Sequence, residues 1–456
     1  MAKKKKKFQT PTGMHDILPE EQYIWQYFWR MAEDTADFYN FQRIDTPILE
    51  STELFEKGTG QSSDIVLKEM FTLKTKGGDS LTMRPEGTPS TARSYIEHGM
   101  RKRTSPVKLY YAGPMFRHEK PQRGRYRQFH QFGLETLGED DPSRDAEIIN
   151  VTFRILERMR LPAFCVEINS IGCKACRPKY IKNLKEHYRY RLRQVCADCR
   201  KRYKENPLRM LDCAEEKCQR VKAEAPQIVD FLCNDCNEHF KGVLEILDYI
   251  DIPYILNPML VRGLDYYTRT VFEIFEGEAG QAPSVSAAAE KEKEENEEGE
   301  EKKEEKAPQK RLALASGGRY DELVRFIGGK DTPAVGVSLG VERIIEAMKA
   351  ADKLPRKPQE PRVFLVQLGD AAKKKAFAIF EEFRKENIQL REALGRDSIS
   401  SQLKLANKYE ADLSIIIGQK EALDNVVIIR DMETGSQETI PEDKLIKEIK
   451  KRLKRK

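Results

Sequence analysis

The chain has 456 residues, 39% of them hydrophobic and 34% charged, with a formal charge of +6; this length exceeds what one core usually supports and predicts two or three domains. No apolar run approaches the roughly twenty residues of a membrane span, which excludes an integral membrane protein, and so small a net charge does not by itself call for a nucleic-acid partner. No hydrophobic stretch follows the run Lys3 to Lys7, as a secretion signal would require, so a cytoplasmic protein with a solvated basic tail is expected.

Ile24, Phe28 and Met31 recur at helical spacing after Pro19 and Glu20 and predict a helix over 21–40, followed by a strand from Arg43 that Pro47 ends. Leu109 to Arg117 and Tyr126 to Glu135 read as an antiparallel hairpin joined by the charged stretch His118 to Arg125. A period of two places Arg127, Phe129, Gln131, Gly133 and Glu135 on one face of its second strand. Taken alone, a polar face of this kind more often meets water than a ligand.

From about 171 to 255 the character changes to cysteine pairs, basic helices and the segment Pro207 to Leu211, as in a module inserted into the preceding domain. Between Cys173 and Lys204, twelve lysines and arginines stand against Glu186 and Asp198, a net of +10, with Tyr180, Tyr188, Tyr190 and Tyr203 interleaved. A dense positive patch with aromatics suits a phosphate backbone, whereas a merely solvated helix face shows mixed signs. Residues 289–306 hold ten Glu and five Lys with almost no large apolar group, and are expected to be a disordered loop between strands at Val271 to Phe275 and Leu312 to Ala315. After a proline-rich linker, short apolar runs at Val363 to Val366, Leu413 to Ile417 and Val426 to Ile429 alternate with amphipathic segments near 371–386 and 399–409. That alternation predicts an α/β layer structure without a catalytic arrangement, suited to binding.

Eight of the nine cysteines fall in close pairs: Cys173/Cys176, Cys196/Cys199, Cys213/Cys218 and Cys233/Cys236. Such spacing suits structural zinc, and leaves reduced buried thiols or disulfides as alternatives. A redox-catalytic CxxC is disfavoured, since no thioredoxin-like strand precedes any pair.

Six strings occur in order: Arg84-Pro-Glu-Gly-Thr88, Phe116-Arg-His-Glu119, Gly124 to Gly133, Leu260 to Thr268, Gly317-Gly-Arg-Tyr-Asp321 and Gly336 to Arg343. The ordered set resembles motifs 2 and 3 and the two histidine signatures of the histidyl-tRNA synthetase family, from about Gln9 through the C-terminal domain. The resemblance implies an α+β fold: a class II synthetase catalytic core with an antiparallel sheet and flanking helices, an inserted cysteine-rich module and a C-terminal α/β anticodon-binding domain. The expected boundaries are 1–170 and 256–350 for the two parts of the core, the second with its acidic loop at about 278–310, then 171–255 for the insertion, 351–361 for the linker and 362–456 for the last domain. The implied reaction is ATP-dependent ligation of L-histidine to tRNA(His) through a histidyl-adenylate, with Mg2+, releasing AMP and diphosphate.

The chemistry accounts for the residue types. The attacking histidine carboxylate is already charged, so no general base is needed; alignment and neutralisation of phosphate charge are. By resemblance, Arg117 holds the α-phosphate and Arg262 reaches it from the opposite side, as the catalytic pair. Glu119, Arg125, Phe129 and Arg343 bind ATP, with adenine between Phe129 and the Arg343 guanidinium. Glu86, Thr88 and Gln131 take the α-ammonium of histidine, with Gly87 between the first two, and Arg117 and Arg262 reach the same substrate. Glu135 and Tyr267 read the two ring nitrogens, with Tyr266 adjacent, so that side chains lacking those atoms are rejected. Lys120, Gln122 and Arg123 are implied contacts to the acceptor end of tRNA, the basic insertion cradles the acceptor arm, and Arg43 to Pro47 resembles the dimer-forming motif 1. Two departures stand out: the turn between Glu276 and Leu312 is far longer than usual, and Ala315-Ser316 precedes Gly317 where another glycine is common. Family members without the insertion cysteines exist, so the resemblance does not itself imply zinc. The synthetase-like regulatory subunit of ATP phosphoribosyltransferase is a rival, but it would lack the last domain and many catalytic positions. A zinc-dependent RNA-binding protein leaves the six strings unexplained.

Overall fold

Strands Val107–Phe116 and Gln128–Leu137 pair antiparallel along their whole length, from Val107 opposite Leu137 to Phe116 opposite Gln128, in the computed structural model. The structure describes residues 8–60, 63–103, 105–277, 312–358 and 362–455; the Lys3 to Lys7 tail and the acidic loop at 278–310 lie outside the described residues. Two compact units, 1–355 and 356–456, make up the chain. Among the described residues no helix is long and apolar enough to cross a membrane.

The hairpin lies within an eight-stranded sheet whose order is Gln42–Arg43, Val107–Phe116, Gln128–Leu137, Ala334–Gly340, Ala313–Arg319, Thr268–Glu276, Phe164–Ser170 and Tyr254–Leu256. Its inner neighbours are antiparallel, and only the outermost pair at each edge is parallel. The period of two divides the residues of the second hairpin strand between two environments. Phe132 and Leu134 enter a core with Ile24 and Phe28 of helix Gln22–Phe38, Ile148 and Ile149 of helix Pro142–Arg158, and Ile344 of helix Val341–Ala350. Gln131, Gly133 and Glu135 face the other way, and all three are buried. Helix Pro142–Arg158 begins with Pro142 in its first turn, and the Asp141 carboxylate accepts from the Ser143 N–H at 2.8 Å, satisfying one of the orphan donors.

The strand expected from Arg43 to Pro47 is shorter: pairing stops at Arg43. The Arg84 guanidinium donates to the Thr46 carbonyl at 2.9 Å and to the Pro114 carbonyl at 3.0 Å, drawing the chain out of the ladder, and Pro47 has no N–H with which to rejoin it.

Between the neighbouring strands Phe164–Ser170 and Tyr254–Leu256 the chain leaves the sheet and forms the helices Arg177–Arg189, Ala197–Glu205, Glu216–Ala223 and Asn234–Tyr249. The second unit has a five-stranded sheet in the order Leu390–Glu392, Val363–Gln367, Leu413–Ile417, Val426–Asp431 and Gln437–Pro441. Val363 and Leu365 point to a core with Ala376 and Ile379 of helix Asp370–Lys385, while Phe364 and Val366 meet Ala406 of helix Ile399–Lys408, giving an α/β layer.

Candidate active site

A cleft of about 320 Å³ opens on the sheet face away from the main core. Of the residues singled out in the sequence, Glu86, Thr88, Arg117, Glu119, Arg125, Phe129, Gln131, Arg262, Tyr266, Tyr267 and Arg343 line it. Their segments are far apart in sequence, and the antiparallel sheet brings them together.

At one end the groups are buried acids and hydroxyls. The Glu86 carboxylate accepts from the Tyr266 hydroxyl at 3.0 Å and from Thr59 Oγ1 at 3.2 Å. Burial pushes its pKa up, opposed by the Arg117 charge and by these two hydrogen bonds. Gln131 is 7% exposed, and its amide oxygen is buried without a hydrogen-bond partner. A buried acceptor left unpaired in a cleft wall is a place for a donor on a ligand.

Glu135 is fully buried and stands just beneath the cleft floor. Thr88 Oγ1 donates to one of its oxygens at 2.6 Å and the Tyr320 hydroxyl to the other at 2.5 Å. Burial pushes its pKa up to about 8 in spite of those two bonds. Gly336 on the adjacent strand makes room for it, since a Cβ there would overlap the carboxyl. Gly87 also lies behind the wall, packed so closely on the Tyr111 ring that a Cβ would enter it.

At the other end guanidiniums crowd together. Arg343 donates from Nε to the Gly124 carbonyl at 2.9 Å and from Nη1 to the Ala313 carbonyl at 2.8 Å. Burial, then the neighbouring charges of Arg125 and Arg117, lower its pKa to about 10, so it is still a cation at neutral pH. Arg125 pairs with Glu119 at 3.3 Å, and its Nε is buried without a partner. Arg117 donates to the Pro85 carbonyl at 2.9 Å and lies over the Phe129 ring at 5.3 Å. Arg262 pairs with Glu273, stacks over the Tyr267 ring at 5.5 Å, and has a buried Nε with no partner. Confined cations with unused N–H groups suit a polyphosphate.

Lys120, Gln122 and Arg123 are exposed on the hairpin loop rather than in the cleft. Arg127, on the polar strand face, turns away to hold the N-terminal segment: its N–H donates to the Gly13 carbonyl at 2.7 Å and its Nε to the Glu119 carbonyl at 3.2 Å. Sequence reasoning missed Tyr320, Glu273 and Arg209 among the lining residues. Each left a trace: Tyr320 and Arg209 sit inside strings already singled out, and Glu273 is the lone charge in the apolar run Val271 to Phe275.

The eight paired cysteines form two clusters, Cys173/Cys176/Cys233/Cys236 and Cys196/Cys199/Cys213/Cys218. Sulfur–sulfur distances are 3.7 and 3.9 Å in the first and 3.8 and 3.9 Å in the second. A disulfide needs about 2.05 Å, whereas a tetrahedron with Zn–S bonds of about 2.3 Å has edges of about 3.8 Å. Backbone N–H groups aim at the sulfurs, as from Ala175 to Cys173 at 3.3 Å and from Cys233 to Cys176 at 3.1 Å, which stabilises thiolates.

A largely antiparallel sheet with flanking helices, carrying buried acids at one end of a cleft and crowded guanidiniums at the other, defines a class II aminoacyl-tRNA synthetase core. A family model described as histidyl-tRNA synthetase matches residues 13–284, and one described as an anticodon binding domain matches 362–452. The chain belongs to the histidyl-tRNA synthetase family. It is 42% identical over 446 residues to the histidine–tRNA ligase of Dehalococcoides mccartyi, covering 98% of this chain and all of that one. It is also 42% identical over 448 residues to the histidine–tRNA ligase of Caldicellulosiruptor saccharolyticus, with the same coverage. The crystal structure of apo S. aureus histidyl-tRNA synthetase superposes with a TM-score of 0.74 at 33% identity, covering 97% of this chain and 99% of that one.

Proposed function

We infer that the chain uses ATP to join L-histidine to tRNA(His), first forming histidyl-adenylate and diphosphate, then transferring the histidyl group to the terminal adenosine with release of AMP. The observation that carries this reading is the polarity of the cleft, with a buried acid and an unpaired amide oxygen at one end and the guanidiniums of Arg117, Arg125, Arg262 and Arg343 at the other.

Glu86, Thr88 and Gln131 receive the α-ammonium, and the unpaired Gln131 oxygen gains a charged donor there. Glu135 meets one ring nitrogen: Thr88 and Tyr320 each donate to one of its oxygens, which leaves the protonated carboxyl a further lone pair to accept with and a proton to donate. Tyr267 addresses the other nitrogen, while Tyr266 fixes Glu86. Arg117 and Arg262 approach the α-phosphate from opposite sides, Arg125 and Arg343 hold ATP, and adenine stacks on Phe129. Mg2+ carried by the nucleotide adds neutralising charge, and Glu69, together with Glu119 that pairs with Arg125, supplies cleft carboxylates beside the arginines.

The exposed loop residues Lys120, Gln122 and Arg123 meet the acceptor end of tRNA. The insertion presents Lys182, Arg189, Arg193, Arg200 and Lys204 to solvent, with Tyr190 exposed beside Arg189, and receives the acceptor arm. Each cysteine cluster holds one structural Zn2+. Ile48 and Leu49 are exposed next to the edge strand Gln42–Arg43, and this edge joins two copies into a homodimer.

The test is histidine-dependent ATP–diphosphate exchange with the purified full chain. Arg262→His should lower kcat by at least about a hundredfold, whereas Tyr267→Phe should mainly raise the KM for histidine. Absence of histidine-dependent exchange in the unaltered protein would overturn the reading.

A further inference from the structure

The inserted module does more than face outward. Arg209, in the turn Pro207–Met210 between Cys199 and Cys213, lines the cleft and pairs with Asp64 on its opposite lip. Nearby, Asn206 Nδ2 donates to Asp265 Oδ1 at 2.9 Å, the Asp265 N–H donates to the Thr59 carbonyl at 3.2 Å, and Thr59 Oγ1 donates to Glu86 at 3.2 Å. Arg177, next to Cys176 of the other cluster, donates to the Tyr267 carbonyl. Both cysteine clusters are therefore joined by hydrogen bonds to the loop Leu260–Thr268, which carries Tyr266 and Tyr267 into the cleft.

We propose that Asn206 and Arg177 are positioning residues for histidine recognition: the two thiolate clusters hold them, and they hold the loop that sets Glu86, Tyr266 and Tyr267 around the amino acid. The proposal rests on the reading of Glu86 and Tyr267 as histidine-binding groups. Its physical basis is that the loop has little regular structure of its own, so its place is fixed by the partners of its polar groups. Asp265 is one such group, and the Tyr267 carbonyl is another. Arg262 belongs to the same loop but is held separately by Glu273 of strand Thr268–Glu276, and among the described residues the bonds from Asn206 and Arg177 run to Asp265 and the Tyr267 carbonyl rather than to Arg117, Arg125 or Arg343, so ATP binding should be spared.

The experiment measures exchange kinetics and calorimetric histidine binding with the full chain, together with its zinc content. Asn206→Ala removes one hydrogen bond to a charged acceptor and should weaken histidine binding and raise its KM by about tenfold, with kcat and the KM for ATP within about twofold. Adding Asp265→Asn to Asn206→Asp places one acceptor opposite one donor again and should recover most of the lost affinity. Arg177→Lys, which keeps a donor, should be affected less than Arg177→Met. Cys213→Ser should lose one zinc equivalent and weaken histidine binding in parallel. An unchanged histidine KM in Asn206→Ala overturns the proposal, as does a fall in kcat with both KM values unchanged, which is what a smaller folded fraction produces. Glu86→Gln serves as the control: if it too leaves histidine binding unchanged, the reading of the pocket falls and the proposal with it. If the unaltered protein contains no zinc, only the metal assignment fails, and the Asn206 result still decides the positioning role.

Discussion

Arg319 has no exposed side-chain surface, yet it keeps a full charge because Asp145, Asp140 and Asp321 surround it. Two of its nitrogens reach Asp145, the shorter bond being 2.5 Å, and His239 approaches the same carboxylate at 3.3 Å. Burial alone would raise the Asp145 pKa, but the Arg319 charge and the His239 and Arg319 hydrogen bonds outweigh it and hold the group at about 2. The stability this pair supplies is present above the unfolded value near 3.9 and is lost as pH falls toward 2. Arg319→Met strands a buried carboxylate and should reduce stability by about 3–5 kcal/mol, read as a lower urea midpoint. Glu135 behaves in the opposite sense. Its pKa of about 8 means that the native state keeps a proton the unfolded chain has released. The associated stability is therefore greatest at low pH and declines as pH rises toward 8 and past it. Without ligand, the melting temperature should drop more between pH 5.5 and 9 in the unaltered protein than in Glu135→Gln, by a few degrees; equal drops would count against a neutral Glu135.

At the scale of elements, the structure follows local pattern where the pattern is long and departs from it where a distant side chain intervenes. Helix Gln22–Phe38 and the hairpin were legible because their periodicity runs over many residues. The early end of the strand at Arg43 was not, because Arg84 ends it from another segment. Strand Gln437–Pro441 carries mostly exposed residues and so lacks the apolar run that marks its neighbours. Most of the cleft was legible from ordered strings. The grouping of the cysteines was not: Cys173 and Cys176 join Cys233 and Cys236 across the other cluster, a choice made by helix packing rather than spacing. Two zinc ions per chain are expected by elemental analysis under reducing conditions, and a chelator should lower the melting temperature. A metal-free protein of undiminished stability would exclude structural zinc.

For the whole molecule, every cleft residue belongs to the unit 1–355. A chain ending at Pro355 should therefore still catalyse histidine-dependent exchange within about threefold in kcat/KM, while charging of tRNA falls by at least about a hundredfold because anticodon contacts are gone. Light scattering of the intact protein should give twice the chain mass if the edge beside Ile48 and Leu49 joins two copies. The placement of the inserted module also bears on how the chain folds. Ser170 ends one strand and Tyr254 begins its parallel neighbour, so the edge of the sheet closes only when a loop of about eighty residues closes, at an entropic cost of about 4 kcal/mol or more. Cys173 and Cys236 lie near the two ends of that loop. Once four thiolates meet there, most of the closure is already accomplished, and the last strand docks as a short local step. With zinc in that cluster, as proposed above, the order of assembly would run from metal to sheet edge, and chains made without zinc should accumulate with their central strands formed and one margin still open.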